Sequence, residues 1–358
     1  MNLEQFQRLL AAGVQHGASD IHLRVGDPPI YRVRGALAPL KYDRLTPEDT
    51  IAICAFIVQD SDLRQQLDRI QEFDTSFALP GIARFRVNIY RQRGSLSLVL
   101  RIIPGDVPTL DGLGLPKVIR TIAENERGLV LVTGATGSGK SSTLAAMIRH
   151  INETRRVHIV TIEDPIEFLH KNEKASITQR EVGPDTKNFN VALRAALRQD
   201  PDVILVGEIR DAESVDIALK ASETGHMVYS TIHTTDATKT IGRILAMFPP
   251  EEQNVVRFRL ADALRATVSQ RLLPRADGKG RVVACEIMTV TGTIQDYLRD
   301  PTKSSGIKDL IEKGRSQYGM QSFDQHLVEL YKANVISHEV AMAASINPSD
   351  FQRNLAFE

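Results

Sequence analysis

The stretch Gly134-Ala-Thr-Gly-Ser-Gly-Lys-Ser141 decides the fold, because it fits the phosphate-binding loop pattern G-x-x-x-x-G-K-[ST]. Residues 128–133 before it are apolar and mostly β-branched, which predicts a buried strand, and residues 142–151 after it have helical spacing. A strand, a glycine-rich turn and a helix are the context in which backbone N–H groups and a helix N-terminus hold a phosphate. The sequence therefore predicts a nucleoside triphosphate site, and a coincidental glycine-rich turn is the weaker interpretation.

The loop and the first turn of its helix supply the candidate nucleotide-binding residues. They are Gly134, Ala135, Thr136, Gly137, Ser138, Gly139, Lys140, Ser141 and Ser142. Lys140 has the length to reach the β- and γ-phosphates, and the Ser141 hydroxyl is the expected Mg²⁺ ligand.

Composition and charge are those of an ordinary globular protein. The chain has 358 residues, and 44 Lys and Arg balance 44 Asp and Glu, so the net charge does not favour a nucleic-acid or anionic-lipid partner. Cys54 and Cys285 are its only cysteines, which excludes a tetracysteine zinc site and argues against a disulfide framework. No apolar run has the length of a membrane helix, and the first residues lack the basic region of a signal peptide. We expect a cytoplasmic protein.

The pattern predicts two domains joined by a linker. Residues 1–103 read as a smaller α+β domain, in which residues 84–90 and 95–101 form a hairpin with one apolar side. Arg84, Arg86 and Arg101 are expected on its other side, either as a solvated face or as a functional one. Residues 104–116 are rich in Pro and Gly and predict an inter-domain linker.

Residues 117–358 predict an α/β domain, because short apolar runs alternate with helical patterns. The strands are expected at 129–133, 157–163, 202–207, 227–233 and 282–288. The helices are expected at 141–152, 189–199, 211–224, 236–248 and 251–272. From about 292 to 358 the pattern is helical, which predicts a helical C-terminal region on a parallel sheet.

Two carboxylates and a histidine end predicted strands near the loop, where open α/β sheets build their sites. Glu163 follows one apolar run and Glu208 another, and Gly207 stands where an ordinary Walker B strand has Asp. Glu208 is therefore the candidate on the metal side, and Glu163 is the better candidate for polarising the attacking water. His233 ends the next strand, where it could sense the γ-phosphate. Helix caps, surface acids and a core histidine are the structural alternatives.

Hydrolysis of a triphosphate commonly uses an arginine to neutralise developing charge, and this residue can come from another subunit. The second domain offers no obvious candidate in its own loops apart from Arg194, Arg198 and Arg210. The predicted arginine face of the first domain, with Arg84, Arg86 and Arg101, is the alternative source. Such an arrangement requires an oligomer, most simply a closed ring.

Taken together, these stretches resemble the secretion-type AAA-like ATPases, and specifically the type IV pilus retraction ATPases (the PilT/PilU-like branch). Residues 161–167 are similar to the family's Asp box, residues 200–211 to its Walker B box with glutamate alone, and residues 224–234 to its His box. Residues 17–23 and 84–88 resemble the family's PAS-like N-terminal domain. The short N-terminus, the missing zinc module and residues 317–325 resemble the retraction branch.

One helix departs from the principal retraction motor. Within residues 293–300, Ile294 and Arg299 match its pattern, whereas Gln295 and Asp296 replace Arg and Asn. The choice between a principal retraction motor and an accessory PilU-like paralogue therefore stays open.

The resemblance implies a RecA-like ATPase core behind a PAS-like domain, with ATP and Mg²⁺ as cofactors. It implies a homohexamer that binds ATP between the N-terminal domain of one subunit and the P-loop domain of the next. The catalytic set it implies is Glu163, Glu208 and His233, with Arg84, Arg86 and Arg101 from the neighbour and with Ser141 and Glu208 on the metal. The motor would act at the inner face of the cytoplasmic membrane on a pilus platform protein, with a paralogous retraction ATPase as a further candidate partner and no nucleic acid. The rivals are a pilus-assembly or type II secretion ATPase, a non-hydrolysing nucleotide-gated scaffold and a RecA-like DNA motor.

Overall fold

The computed structural model of the chain describes residues 1–58, 60–103, 105–346, 348, 351–352 and 355. They divide into two compact units, each with its own core. The first unit is Met1–Asp106 together with Glu167–Leu169, and the second is Val107–Ile166 together with His170–Glu358. The division at Asp106 lies inside the segment 104–116, whose later part packs into the second unit, because Leu110 and Leu115 are buried there.

The first unit is an antiparallel sheet with helices on its apolar face. Its helices are α1 (Leu3–Gln15), α2 (Pro47–Ile57) and α3 (Ser61–Gln65), with a 3₁₀ turn at Leu67–Arg69. Its strands are β1 (Ala18–Arg24), β2 (Ile30–Val33), β3 (Ala36–Pro39), β4 (Glu72–Leu79), β5 (Ala83–Gln92) and β6 (Ser95–Ile103). The six strands pair in the order β3-β2-β1-β6-β5-β4. Capping boxes start α1 at Asn2 and α2 at Thr46, where each side chain satisfies an N–H that the helix leaves open.

Strand β5 has the two faces that its alternation predicts. Phe85, Val87 and Ile89 are fully buried, and the apolar residues of β6 lie beside them. Arg86 is exposed on the opposite face and pairs directly with Arg101 across the β5–β6 ladder. The predicted hairpin and its arginine side are therefore present.

The second unit is a seven-stranded sheet between layers of helices. Its strands are β7 (Gly128–Thr133), β8 (His158–Glu163), β9 (Ser176–Glu181), β10 (Val203–Val206), β11 (Met227–Ile232), β12 (Leu264–Pro274) and β13 (Arg281–Thr289). Its first helices are α4 (Val118–Ala123), α5 (Lys140–Thr154), α6 (Phe189–Ala196), α7 (Ala212–Glu223), α8 (Ala237–Leu245) and α9 (Pro250–Ala263). The C-terminal helices are α10 (Gly292–Arg299), α11 (Ile307–Lys313), α12 (Arg315–Tyr318), α13 (Phe323–Lys332) and α14 (His338–Ala344), with a 3₁₀ segment at Pro301–Gly306.

The strand order is β13-β12-β7-β11-β10-β8-β9, and every neighbouring pair is parallel except β12–β13. The central strand β7 is buried on both faces. Leu129 and Leu131 enter one apolar cluster, and Val130 and Val132 enter the other. This burial explains why its sequence is a continuous apolar run instead of an alternation.

The prediction of one helix over 251–272 is wrong. Helix α9 ends at Ala263, and the residues that follow form β12, which pairs with β7 on one side and with β13 on the other. Thr267, Ser269 and Gln270 are polar residues of this strand, and all three are buried. The antiparallel β13 likewise departs from the expected all-parallel sheet.

Besides β12, two further strands, β4 and β9, were not predicted from the sequence. Both lie at an edge of their sheet. An edge strand buries less of its surface than a central one, so its hydrophobic signal is weak, as the segment Ser176–Glu181 illustrates.

Among the residues that the structure describes, no helix combines the length and the apolar character needed to cross a membrane.

Candidate functional site

The loop between β7 and α5 takes the conformation that a phosphate-binding loop needs. Gly139 adopts a left-handed conformation, with φ 91°, immediately before the first helical residue, Lys140. An L-residue with a side chain rarely adopts this φ, which accounts for glycine at this position. The N-terminus of the 15-residue helix α5 thus opens onto the loop with its N–H groups unpaired by any side-chain cap.

The loop packs so closely around Gly134 that no Cβ fits there. A Cβ there would lie 2.5 Å from the carbonyl oxygen of Gln270 and 2.5 Å from Oγ of Ser138. The Ser138 hydroxyl is buried, and among the described residues it has no hydrogen-bond partner. A buried, unsatisfied hydroxyl beside convergent N–H groups fits a phosphate oxygen as its missing partner.

Lys140 is buried and its ammonium points back over the loop. Its Nζ donates to the carbonyl oxygens of Gly134 and Ala135, at 3.0 Å each. Ala135, Thr136 and Gly137 are exposed at the tip of the loop, whereas Ser141 and Ser142 are half-buried in the first turn of α5. The ammonium therefore lies on the loop that is expected to enclose the phosphates.

Strand register brings the other predicted residues to the same edge of the sheet. Ile232 pairs with Thr133, so His233 follows its strand next to the start of the loop. Val206 pairs with Ile162, and Gly207 N–H donates to the carbonyl of Ile162 at 2.8 Å. Glu163 and the Gly207–Glu208 pair consequently leave adjacent strands at the carboxyl edge, where α/β sheets bind ligands.

Glu163 is half-buried and oriented by hydrogen bonds to one of its oxygens. Thr161 Oγ1 donates to Glu163 Oε1 at 2.7 Å, and Gln179 Nε2 donates to the same oxygen at 3.2 Å. Thr161 is itself fully buried in β8. The carboxylate is thus fixed by its own strand and by the neighbouring edge strand.

Glu208 lies between a histidine and an arginine. Its Oε1 is 3.3 Å from Nε2 of His233, and its Oε2 accepts from Nη2 of Arg210 at 2.8 Å. The hydrogen bond to Glu208 raises the pKa of the Arg210 guanidinium. Of the arginines considered for this unit, Arg210 is therefore committed to Glu208, and Arg194 forms an ion pair with Glu213.

The residue types present fit Mg²⁺ and a triphosphate. The Ser141 hydroxyl and the Glu208 carboxylate are hard oxygen ligands, which Mg²⁺ prefers, and phosphate oxygens and water commonly complete its coordination. The structure brings Glu163, Glu208, His233 and the loop Gly134–Ser142 to one edge of one sheet. Their catalytic and metal-binding roles remain predictions.

The predicted arginine set lies on the polar face of the first unit. Arg101 Nε donates to Asp20 Oδ1 at 2.9 Å, and Arg84 Nη2 donates to Ser76 Oγ at 2.8 Å. Burial of Asp20 works to raise its pKa, but hydrogen bonds from Arg101 and Ser19 hold the pKa below its ordinary value. Because Arg86 and Arg101 face each other directly, this carboxylate offsets their repulsion. The Arg101 side chain remains 70% exposed, and Arg86 is exposed as well.

Several residues that support the loop were not singled out from the sequence. Ser269 and Gln270 belong to β12: Thr133 Oγ1 donates to Ser269 Oγ at 3.0 Å, and Gln270 Nε2 donates to Thr143 Oγ1 at 2.8 Å. Both lay in a segment predicted as helix, so nothing placed them beside the loop. The sequence offered no clear signal for them, because the segment has mixed polarity and the burial of its polar residues is seen only in the fold.

Comparison with protein families gives one match over nearly the whole chain. A model of the type II/IV secretion system protein family matches residues 4–354.

Two curated relatives from Pseudomonas aeruginosa are similar over almost their full length. The chain is 45% identical over 343 residues to the type IV pilus retractation ATPase PilT, covering 96% of this chain and 98% of that protein. It is 39% identical over 350 residues to the type IV pilus ATPase PilU, covering 97% of this chain and 90% of that protein.

A solved structure shares the fold. The crystal structure of the pilus retraction motor PilT with bound ADP has a TM-score of 0.90 and 44% sequence identity, and the alignment covers 99% of both chains.

Proposed function

The chain belongs to the type II/IV secretion system protein family, and from that premise we propose that it is an ATP-driven motor that powers retraction of a type IV pilus. The predicted resemblance, the RecA-like ATPase core with its smaller N-terminal domain, and ATPase activity are confirmed. The observation that carries the proposal is the carboxyl edge of the second sheet, where the P-loop, Glu163, Glu208 and His233 meet.

We assign the residues of this edge to separate tasks. The N–H groups of Gly134–Ser142 and the Lys140 ammonium would hold the phosphates, since they combine a helix N-terminus with a buried cation. Glu163 would orient and polarise the attacking water, because two donors already fix its carboxylate. Glu208 and Ser141 would hold Mg²⁺, which supplies charge neutralisation at the phosphates when bound. His233 would report on the γ-phosphate through its 3.3 Å contact with Glu208.

We further propose that the working form is a homohexameric ring. In this ring, a neighbouring copy would supply Arg84, Arg86 and Arg101 to the bound phosphates. Arg86 and the Arg101 side chain are exposed and lie side by side on the first unit. Arg194 and Arg210 of the second unit are already engaged by carboxylates. An arginine supplied from another subunit commonly raises turnover by several orders of magnitude, ~10³-fold or more.

The proposed output is domain rotation. Hydrolysis would open and close the site between subunits, and the segment 104–116 would act as the hinge between the domains 1–103 and 117–358. Since Leu110 and Leu115 are buried in the second unit, the bending would fall at the start of this segment. The motor would act in the cytoplasm, at the inner face of the membrane, on a pilus platform protein.

Two substitutions test the assignments in a nucleotide-binding measurement and a steady-state ATPase assay of the purified chain. Lys140→Ala is expected to abolish ATP binding, because it removes the buried ammonium from the loop. Glu163→Gln is expected to bind ATP with unchanged affinity and to lower kcat by ~100-fold or more, as expected for loss of a general base. Substantial turnover by Glu163→Gln would remove this residue from the mechanism.

A second candidate, an accessory retraction ATPase that assists a paralogous motor, is favoured by Gln295 and Asp296 in α10. Arg299 of the same helix is retained and pairs with Asp262 of α9 at 2.6 Å. A strain that lacks the chain separates the two: loss of the principal motor leaves excess, non-retracting pili without twitching, and loss of an accessory motor leaves twitching in place. A strain without pili would instead indicate an assembly motor.

A further inference from the structure

Gln179 of the edge strand β9 lies beside the proposed catalytic carboxylate. In the parallel ladder between β8 and β9, Gln179 is opposite Thr161, and Glu163 is opposite Glu181. The Gln179 side chain reaches across this ladder, where its Nε2 donates to Glu163 Oε1 at 3.2 Å. The same edge strand thus borders the site along the last residues of β8.

The orientation of this amide is fixed by its second hydrogen bond. Gln179 Oε1 accepts from the backbone N–H of His170 at 2.9 Å. A backbone N–H can only donate, so the amide oxygen has to face His170 and the NH₂ group has to face Glu163. The network therefore selects the flip state that gives Glu163 a donor.

The carboxylate of Glu163 then has two donors on one oxygen. The buried Thr161 hydroxyl approaches Oε1 from within β8 at 2.7 Å, and the Gln179 amide approaches it from β9. Two donors from different strands fix the plane of the carboxylate as well as its position. General-base catalysis requires a carboxylate held in this way, because misplacement of the catalytic group by ~1 Å can lower the rate on the order of 100-fold.

We propose that Gln179 is a positioning residue for ATP hydrolysis, which holds the Glu163 carboxylate in its working orientation through the amide NH₂ group. The inference rests on the proposed role of Glu163. It adds a residue that is not part of the P-loop or of either strand end.

The rival explanation is purely structural, since β9 also anchors the segment that follows Glu163. Glu181, two residues along the same strand, accepts from the N–H of Ile166 at 3.0 Å. Gln179 could similarly serve only to anchor His170. The two explanations differ in which half of the amide matters: the NH₂ group for positioning, or the oxygen for anchoring.

Two variants of the full chain distinguish the contribution of the amide NH₂ group from that of the amide oxygen. Gln179→Glu keeps an acceptor for the His170 N–H but replaces the donor to Glu163 with a like charge. Gln179→Leu removes both the NH₂ group and the oxygen, and it keeps a side chain of similar volume. We expect both to lower kcat at pH 8 by ~10-fold or more, with KM for ATP within ~2-fold of wild type, because the interaction orients a catalytic group without binding the nucleotide.

Asn172→Ala is the matched control. The Asn172 side chain accepts from the N–H of Ile177 at 3.0 Å, so it also ties this segment to β9. Its kcat should equal that of wild type. Normal kcat in Gln179→Glu together with a loss in Gln179→Leu would overturn the positioning role in favour of anchoring, and normal kcat in both would overturn any role.

Glu163→Gln, assayed in parallel, distinguishes a failure of the role proposed for Gln179 from a failure of the role proposed for Glu163. If Glu163→Gln is inactive and the Gln179 variants are normal, only the present inference fails. If Glu163→Gln has full turnover, the assignment of Glu163 fails first.

Discussion

At the scale of single residues, Glu286 of β13 is a buried carboxyl close to the His233 segment. Its Oε1 accepts from the N–H of Ala237, the first residue of α8, at 2.8 Å. Burial raises the pKa of Glu286 to about 7, and the charge of Asp236 adds to this, whereas the bond to Ala237 and the charges of Lys308 and Arg271 work in the opposite direction. A carboxyl at the start of α8 therefore titrates near neutral pH.

This pKa makes a prediction about stability. An ordinary glutamate titrates at 4.5, so between that pH and about 7 the folded protein keeps a proton that the unfolded chain has released. The contribution of Glu286 to stability thus falls as pH rises through this window and is constant above it. At about 1.4 kcal/mol per pKa unit, the full change is on the order of 3 kcal/mol.

Glu286→Gln should remove this dependence while keeping an acceptor for Ala237. Relative to wild type, the variant should gain thermal stability between pH 5 and pH 8, measured as Tm by circular dichroism. Glu251→Gln, on the exposed start of α9, is the matched control. A Tm difference between Glu286→Gln and wild type that does not change with pH would contradict the raised pKa.

The sequence alone predicted the site residues that directly follow the end of a strand. It did not predict the residues that contact the site from a neighbouring strand. Glu163, Glu208 and His233 follow apolar runs, so parallel-sheet geometry alone places them at one edge. Gln179 and Gln270 act from neighbouring strands, and the sequence does not give the strand order that makes them neighbours.

At the scale of elements, the end of α5 is tied to the segment that precedes β9 by one buried side chain. Asn152 Nδ2 donates to the carbonyl of Lys171 at 2.7 Å, and Asn152 Oδ1 accepts from the N–H of Glu173 at 3.0 Å. The helix that begins at the P-loop is thereby fixed at its far end to the approach to β9.

Asn152→Ala should destabilise the fold, because it removes two part-buried hydrogen bonds to backbone groups. A loss of about 1–3 kcal/mol is expected for such groups, and it should appear as a lower Tm. Asn254→Ala, on the exposed side of α9, should leave Tm unchanged. Equal Tm values for the two variants would show that the tie at Asn152 adds nothing.

Helices and strands were predicted correctly where their burial leaves a clear hydrophobic pattern in the sequence. The prediction failed where pairing with other strands decides the secondary structure. Strand β7 and helix α5 follow directly from a continuous apolar run and a glycine-rich turn. The segment 264–272 has mixed polarity, and only its pairing with β7 and β13 makes it a strand. Thr133 hydrogen-bonds to Ser269 there, and Thr143 accepts from the Gln270 NH₂ group; such partners are visible only in the folded chain.

For the whole molecule, the proposed ATPase cycle requires assembly of several copies. Each copy has a complete P-loop edge in its second unit and an exposed arginine pair in its first. In a closed ring, every copy would lend its arginines to one neighbour and receive those of the other. The ATPase activity of such a ring is expected to depend on salt and on protein concentration, because a separated copy would lack the arginine charges that its neighbour supplies.

The most direct measurement mixes two inactive variants and assays ATP hydrolysis. One variant is Glu163→Gln, and the other combines Arg84→Ala, Arg86→Ala and Arg101→Ala, with circular dichroism as the control for folding. A mixed ring contains sites in which an intact Glu163 faces intact arginines of the neighbour, so mixing should restore turnover that neither variant shows alone. No recovery in mixed rings, or full turnover by the arginine variant alone, would contradict the shared site.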